Sequence, residues 1–223
     1  MTNACPNYQI EDWNQYANCH AQVTTFVQHE VYVECAQQLN GNVLDIGCAT
    51  GKLVSYLMSN RNITSYTGID LSISMVESTK NTISLFNCDN FNAVVGDIET
   101  YCDGTYDSAV SIMSYYSWTD PILKLKNIYA LLKPGGKFVL ATANQAINIA
   151  ALLEHSRREL VRHPFWNIFK QHNESLAHNN TASFISMGDL ARECLSVGFD
   201  VESCHQKFYL GGMNFLVLVK PQL

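Results

Sequence analysis

Three acidic residues, each closing a short apolar run, carry the chemistry that this chain can do. The first stands in Val43-Leu44-Asp45-Ile46-Gly47-Cys48-Ala49-Thr50-Gly51, where an apolar run passes into a loop of small residues. Small side chains at Gly47, Cys48, Ala49 and Gly51 let a ligand come close to the backbone. The second acid ends Ser65-Tyr66-Thr67-Gly68-Ile69-Asp70, 25 residues after Asp45, and the third follows Ala93-Val94-Val95-Gly96 at Asp97. A carboxylate at a strand end can accept hydrogen bonds from both hydroxyls of a ribose. The first loop reads D-x-G-x-A-x-G, which is neither the G-x-G-x-x-G of dinucleotide sites nor a phosphate loop. An acid at Asp45 would repel an anionic ligand. The pattern predicts a cationic, adenosine-bearing one.

Such acids need strands to carry them and helices to cover the strands. The loop after Asp45 leads at once into a helical pattern (Lys52, Leu53, Val54, Tyr56, Leu57), so it is a strand-to-helix turn, where open α/β sheets bind nucleotides. Further strands are predicted at Tyr106–Met113 and in the run after Leu131-Leu132-Lys133-Pro134-Gly135-Gly136, with a helix over Pro121–Leu132 between them. Ser186 to Asp189 has capping-box spacing and opens a helix that stops at Gly198. Two apolar strands, Phe199–Cys204 and Asn214–Lys220, follow. Upstream, Val23, Phe26, Val27, Val31, Tyr32, Cys35 and Leu39 fit one or two amphipathic helices.

Taken in order, these segments resemble the class I S-adenosylmethionine (SAM) dependent methyltransferases of the small-molecule type. Asp45–Gly51 is similar to the family's first motif, with Ala49 where many members have glycine. Asp70-Leu71-Ser72-Ile73-Ser74-Met75 is similar to its D-x-S-x-x-M, and Leu131–Gly136 to its L-x-P-G-G turn. The resemblance implies an α/β, Rossmann-like fold: a seven-stranded, mostly parallel sheet with a C-terminal antiparallel hairpin. It implies SAM held by Asp45, Gly47, Cys48, Ala49, Gly51, Asp70, Leu71, Met75, Asp97, Ile98, Met113 and Ser114. In that scheme Met75 packs on the adenine and Asp97 meets its amine. Trp13-Asn14-Gln15-Tyr16-Ala17 is similar to a W-x-x-Y-A stretch that covers the methionine end, which would place Trp13 and Tyr16 there. Aromatic faces beside a sulfonium are physically sensible. Cys48 is expected as a small filler rather than a nucleophile.

Composition narrows the partners. The 223 residues are expected to form one domain, with residues 1–40 as a helical lid and residues 144–185 as an insert on the substrate side. The net charge is −6, and the one basic cluster, Arg157, Arg158 and Arg162, shares its helix with Glu154 and Glu159, as a solvated face does. Phosphate-backbone binding needs clustered cations, and the fourth strand ends Ser111-Ile112-Met113-Ser114-Tyr115-Tyr116, unlike the N-P-P-Y of nucleic-acid amino-methyltransferases. A small-molecule substrate is expected, with no nucleic acid. No window reaches the ~18 apolar residues of a membrane span. A start with neither a basic region nor an apolar core, together with eight cysteines and no C-x-x-C pair, points to the cytoplasm; a monomer or homodimer is expected. The histidines of the insert have no i, i+4 pair, so no metal site is expected.

Tyr115 and Tyr116 are the candidate catalytic residues, as groups able to orient an acceptor. Tyr8, Trp118, Asn144 and His155 are candidates for substrate contact. Methyl transfer to oxygen, nitrogen or carbon is the expected reaction. Two alternatives stay open: cyclisation of SAM to azetidine-2-carboxylate with release of methylthioadenosine, and a non-catalytic SAM-binding regulatory protein.

Overall fold

The computed structural model describes residues 10–178 and 183–222; Tyr8 lies outside them. Two helices, α1 (Ile10–Gln22) and α2 (Phe26–Gln38), precede strand β1 (Gly41–Ile46). Thr25 starts α2 through a capping box: the Gln28 side chain accepts from the Thr25 backbone N–H at 2.9 Å. Val27, Val31 and Cys35 follow at one-turn spacing and are buried.

The central part alternates as α3 (Lys52–Leu57), β2 (Ile63–Asp70), α4 (Ile73–Ser84) and β3 (Phe91–Val95). It continues through β4 (Tyr106–Ile112), α5 (Pro121–Leu131) and β5 (Leu132–Ala143). Local chemistry explains the helix starts. Ser72 Oγ accepts from the Met75 N–H, and Asp120 caps α5 ahead of a proline at its first position. The chain ends with α8 (Met187–Val197), β6 (Asp200–Lys207) and β7 (Met213–Val219).

The seven strands lie in the order β3-β2-β1-β4-β5-β7-β6. β1 to β5 are parallel, and β7 runs antiparallel between β5 and β6, as expected from the family pattern. Val43, Leu44, Ala109, Val110, Phe138 and Val139 are fully buried, as strands covered by helices on both faces must be. β3 ends two residues before Asp97 because its partner β2 stops at Asp70, opposite Val95. Gly96 to Ile98 therefore form a loop at the sheet rim. Sequence order reverses between β1 and β4, and a crevice opens there above the strand ends.

Between β5 and α8 the chain forms α6 (Ile149–Leu160) and α7 (Trp166–His178), separated near Pro164. They lie against α1 through a cluster of Tyr16, Cys19, Val23, Met75, Leu153, Leu160 and Phe169, apart from the two cores that flank the sheet. The feet of this segment are tied together. Asn144 Nδ2 donates to Asn214 Oδ1 at 2.6 Å, and Asn214 Nδ2 donates to the Ile185 carbonyl at 2.8 Å. Asn144 Oδ1 accepts from the Ala146 N–H at 2.8 Å.

Asn144 is thus a buried tie and not a substrate contact. Its amide groups are taken up by the splice between β5 and β7. Replacing Asn214→Ala leaves the buried Asn144 Nδ2 without its acceptor and the Ile185 carbonyl with only the Gln145 N–H at 3.4 Å. Stability measured by urea unfolding is expected to fall by about 2–3 kcal/mol. No change would contradict the tie.

Candidate active site

A cavity of about 340 Å³ lies at the crevice, within the range of small-ligand sites. Its wall includes Trp13 and Tyr16 from α1, Asp45, Gly47, Cys48 and Ala49 after β1, and Asp70, Leu71 and Met75 after β2. Asp97 and Ile98 come from the loop after β3, and Met113, Ser114, Tyr116 and Trp118 from the loop after β4.

The first loop is wound by left-handed residues: φ is +73° at Gly47, +49° at Ala49 and +73° at Gly51. A Cβ at Gly47 would stand 2.5 Å from that of Ser114, so glycine lets the ends of β1 and β4 meet. Ala49 adopts the left-handed region in spite of its Cβ, which costs roughly 1 kcal/mol. The loop's donors point into the protein. Gly47 and Cys48 N–H donate to the Ile69 carbonyl at 2.8 and 3.1 Å, and Ala49 N–H donates to Asp70 Oδ2 at 3.0 Å. A phosphate would find those donors taken.

The three acids differ in their surroundings. Asp70 Oδ1 accepts from the Ser72 N–H at 2.9 Å, and with the Ala49 bond to Oδ2 and the nearby Leu71 N–H the carboxylate is anchored by backbone donors. Burial raises its pKa against those bonds. Asp97 Oδ1 accepts from Lys124 Nζ at 2.5 Å and from the Glu99 N–H at 2.9 Å, which leaves Oδ2. Asp45 is buried, with Oδ2 accepting from the Tyr66 hydroxyl at 2.8 Å. Burial pushes its carboxyl up to about 7 although the Tyr66 bond opposes the shift, and the nearby Asp70 adds to it.

Four other expected site residues do not line the cavity. Gly51 begins α3, where a Cβ would come within 3.0 Å of the Thr79 backbone, so its smallness serves packing. Tyr115 turns inward and donates its hydroxyl to Glu193 of α8, under Trp118. His155 lies on α6 facing Glu159 at 3.6 Å, while its neighbour Ser156 reaches the cavity. Asn144 is the tie described above. Cys48 packs at Gly68 and 3.6 Å from Thr79 Oγ1, and burial holds its thiol far above the usual range, which suits a filler.

Other wall residues were not among the expected site residues, although His172 is one of the insert histidines for which the sequence leaves a proton-handling role open. His20 lies one turn beyond Tyr16 on α1 and hydrogen-bonds Thr50 Oγ1 at 2.8 Å. The His172 ring stacks on that of Tyr16 at 3.6 Å, with an interplanar angle of 1°, and meets Trp13 edge-on at 5.0 Å. Burial lowers both histidines, His172 to about 4. Tyr32, Lys124 and Tyr209 also line the cavity. Helical spacing from Tyr16 could have found His20. Nothing in the sequence signals Tyr209.

The pKa of Asp45 has a consequence for stability. An unfolded carboxyl ionises near 3.8 and this one at about 7, so its penalty grows as pH rises above 4 and is complete above 7. Asp45→Asn, which keeps an acceptor for Tyr66, is expected to raise Tm at pH 8 by roughly 5 °C and to change it little at pH 4. Equal shifts at both values in a thermal melt would refute the buried carboxylate.

Comparison with known proteins agrees with this geometry. A family model described as a methyltransferase domain matches residues 20–204. The ubiquinone biosynthesis O-methyltransferase of Coxiella burnetii is 34% identical over 117 residues, covering 51% of this chain and 49% of that protein. The chain thus spans about half the length, or less, of the curated relatives it matches. The putative methyltransferase solved with the Haloferax volcanii Trm112 activator superposes with a TM-score of 0.67 at 16% identity, covering 94% and 98% of the two chains. The N-methyltransferase NodS from Bradyrhizobium japonicum, solved with S-adenosyl-L-homocysteine, gives 0.66 at 13% identity, covering 95% and 100%. These two likenesses concern the fold. With the family match over most of its length and the acids gathered at one crevice, the chain belongs to the class I SAM-dependent methyltransferase family.

Proposed function

We propose that this protein methylates an oxygen, nitrogen or carbon of a small-molecule acceptor in the cytoplasm, with SAM as the donor. The observation that carries this reading is the convergence of Asp45, Asp70 and Asp97 on one cavity whose loop N–H groups are already bonded. Such a wall favours a cation over a phosphate, and the residues present fit a sulfonium nucleoside. Asp70, oriented by backbone donors and lining the cavity, is placed to accept from the two ribose hydroxyls. Asp97 Oδ2 can accept from an adenine amine, beside the apolar side chains of Leu71, Met75 and Ile98. Asp45 and the faces of Trp13 and Tyr16 supply the negative potential that suits the cationic end.

When bound, SAM supplies a methyl group on a sulfonium that leaves as a neutral thioether. What remains for the protein is to position an acceptor, exclude water and take a proton where the acceptor loses one. Tyr116, at the end of β4, is placed to orient the acceptor. His172 and His20 also line the wall, and burial makes both weak bases by disfavouring their protonated forms, His172 at about 4. The roof of α6 and α7 extends the cavity beyond the strand-end acids, which favours a separate acceptor over cyclisation of SAM on itself.

Asp70→Ala should weaken calorimetric binding of S-adenosylhomocysteine about 100-fold, the loss of two hydrogen bonds to a charged group. Unchanged affinity would refute the ribose role. Incubation of the wild-type protein with SAM is expected to release S-adenosylhomocysteine once an acceptor is supplied. Accumulation of methylthioadenosine would overturn methyl transfer.

A further inference from the structure

The charge on the cavity wall is confined to one end. Asp45 and Asp70 stand at the ends of β1 and β2, and Asp97 in the loop after β3. Among the described residues, Lys124 is the only lysine or arginine on the wall, and it faces the same end, bonded to Asp97 and 3.3 Å from Glu99 Oε2. Beyond β4 the wall is apolar, with Met113, Trp118, Ile147, Leu152, Leu153 and Phe184. Its polar members there include Tyr116, Asn173 and Tyr209, with no Asp, Glu, Lys or Arg among the described residues, while Tyr32 is within reach of the Asp45 charge and His172 stacks on Tyr16. Burial keeps the His172 imidazole neutral and the Tyr32 and Tyr209 phenols protonated. An anion entering this end would lose its hydration with no lysine or arginine to replace it, at a cost of several kcal/mol, and a cation would face the sulfonium of the donor.

One of those phenols is delivered by an unusual turn. Between β6 and β7, Phe208, Tyr209 and Leu210 have φ of +56°, +45° and +56°, three non-glycine residues in a row in the left-handed region. Each such residue costs of order 1–3 kcal/mol and persists only where its surroundings enforce it. Here Phe208 packs edge-on against Phe215 at 5.7 Å, and Lys207 Nζ lies 4.4 Å over the Phe215 ring and 2.8 Å from Glu34 of α2. The Gly212 N–H donates to the Tyr209 carbonyl at 2.9 Å, and Gln206 Nε2 donates to the Gly211 carbonyl at 2.9 Å. The result is a Tyr209 ring in the cavity, hydrogen-bonded to the Gln28 side chain. Tyr116 and Tyr209 are both near enough to Tyr16 to add to the effect of burial on its phenol.

We propose that the acceptor is an electrically neutral molecule with an apolar body, which presents a hydroxyl or amine to the phenols of Tyr116 and Tyr209. This rests on the methyl-transfer reading of the same cavity. Three probes with one carbon frame test it: 2-naphthol, 2-naphthoate and 2-naphthylmethylammonium, titrated at pH 7 into wild-type protein saturated with S-adenosylhomocysteine. 2-Naphthol is expected to bind at least tenfold more tightly than either ion. Equal or tighter binding of an ion, or no binding of any probe, overturns the proposal. Tyr209→Phe should weaken 2-naphthol about fivefold and leave S-adenosylhomocysteine affinity unchanged; an unaltered 2-naphthol affinity removes the Tyr209 contact and overturns that part. Failure of the wild type to bind S-adenosylhomocysteine at all would overturn the methyl-transfer reading itself, and is read in a separate titration.

Discussion

The junction between the first loop and the end of β2 is the constraint on which the site depends. The Gly47 and Cys48 N–H groups close on the Ile69 carbonyl, and the Ala49 N–H closes on the Asp70 carboxylate. That junction fixes the orientation of Asp70, sets the left-handed turn at Ala49, and uses the donors that would otherwise attract an anion. Gly47 lets Ser114 approach from β4, where Ser114 Oγ donates to the Ile46 carbonyl at 3.1 Å. The ends of three strands are locked into one rim by bonds that involve little side-chain entropy.

Backbone strain follows the same map. Of the six non-glycine residues with left-handed φ among the described ones, Ala49, Met113 and Tyr209 line the cavity. Each belongs to a different loop: after β1, after β4, and between β6 and β7. The sheet core, with fully buried strands on both faces, is the reservoir of stability that allows such conformations at its rim. Asp45 belongs with them. Its buried carboxylate opposes folding at neutral pH, a cost that the cation proposed for this site would offset.

The parts of this arrangement that were legible in the sequence are those set by local pattern. Apolar runs ending in acids located Asp45, Asp70 and Asp97 at strand ends, because a strand buried on both faces leaves a clear break in hydropathy. The parts that were not legible depend on phase. Tyr115 and Tyr116 are neighbours in a short 3-10 turn, and one points to Glu193 while the other points to the cavity. His155 and Ser156 differ by about 100° around α6, and the packing of that helix against α1 and α7 decides which faces inward. Asn144 has the residue type of a ligand contact, yet Asn214, 70 residues away, claims its amide. Tyr209 depends on three left-handed residues in succession, which no glycine marks in advance.

The tied feet of the α6–α7 segment have a wider meaning. Asn144 and Ile185 sit side by side, joined by a backbone bridge and by Asn214, so the 40 or so residues between them leave and re-enter the sheet at one point. Their apolar cluster is separate from the two that flank the sheet. Such a hood can change its length or composition without altering the strand register beneath it. One chassis for the nucleoside could in this way be fitted, over evolutionary time, with chambers for quite different acceptors.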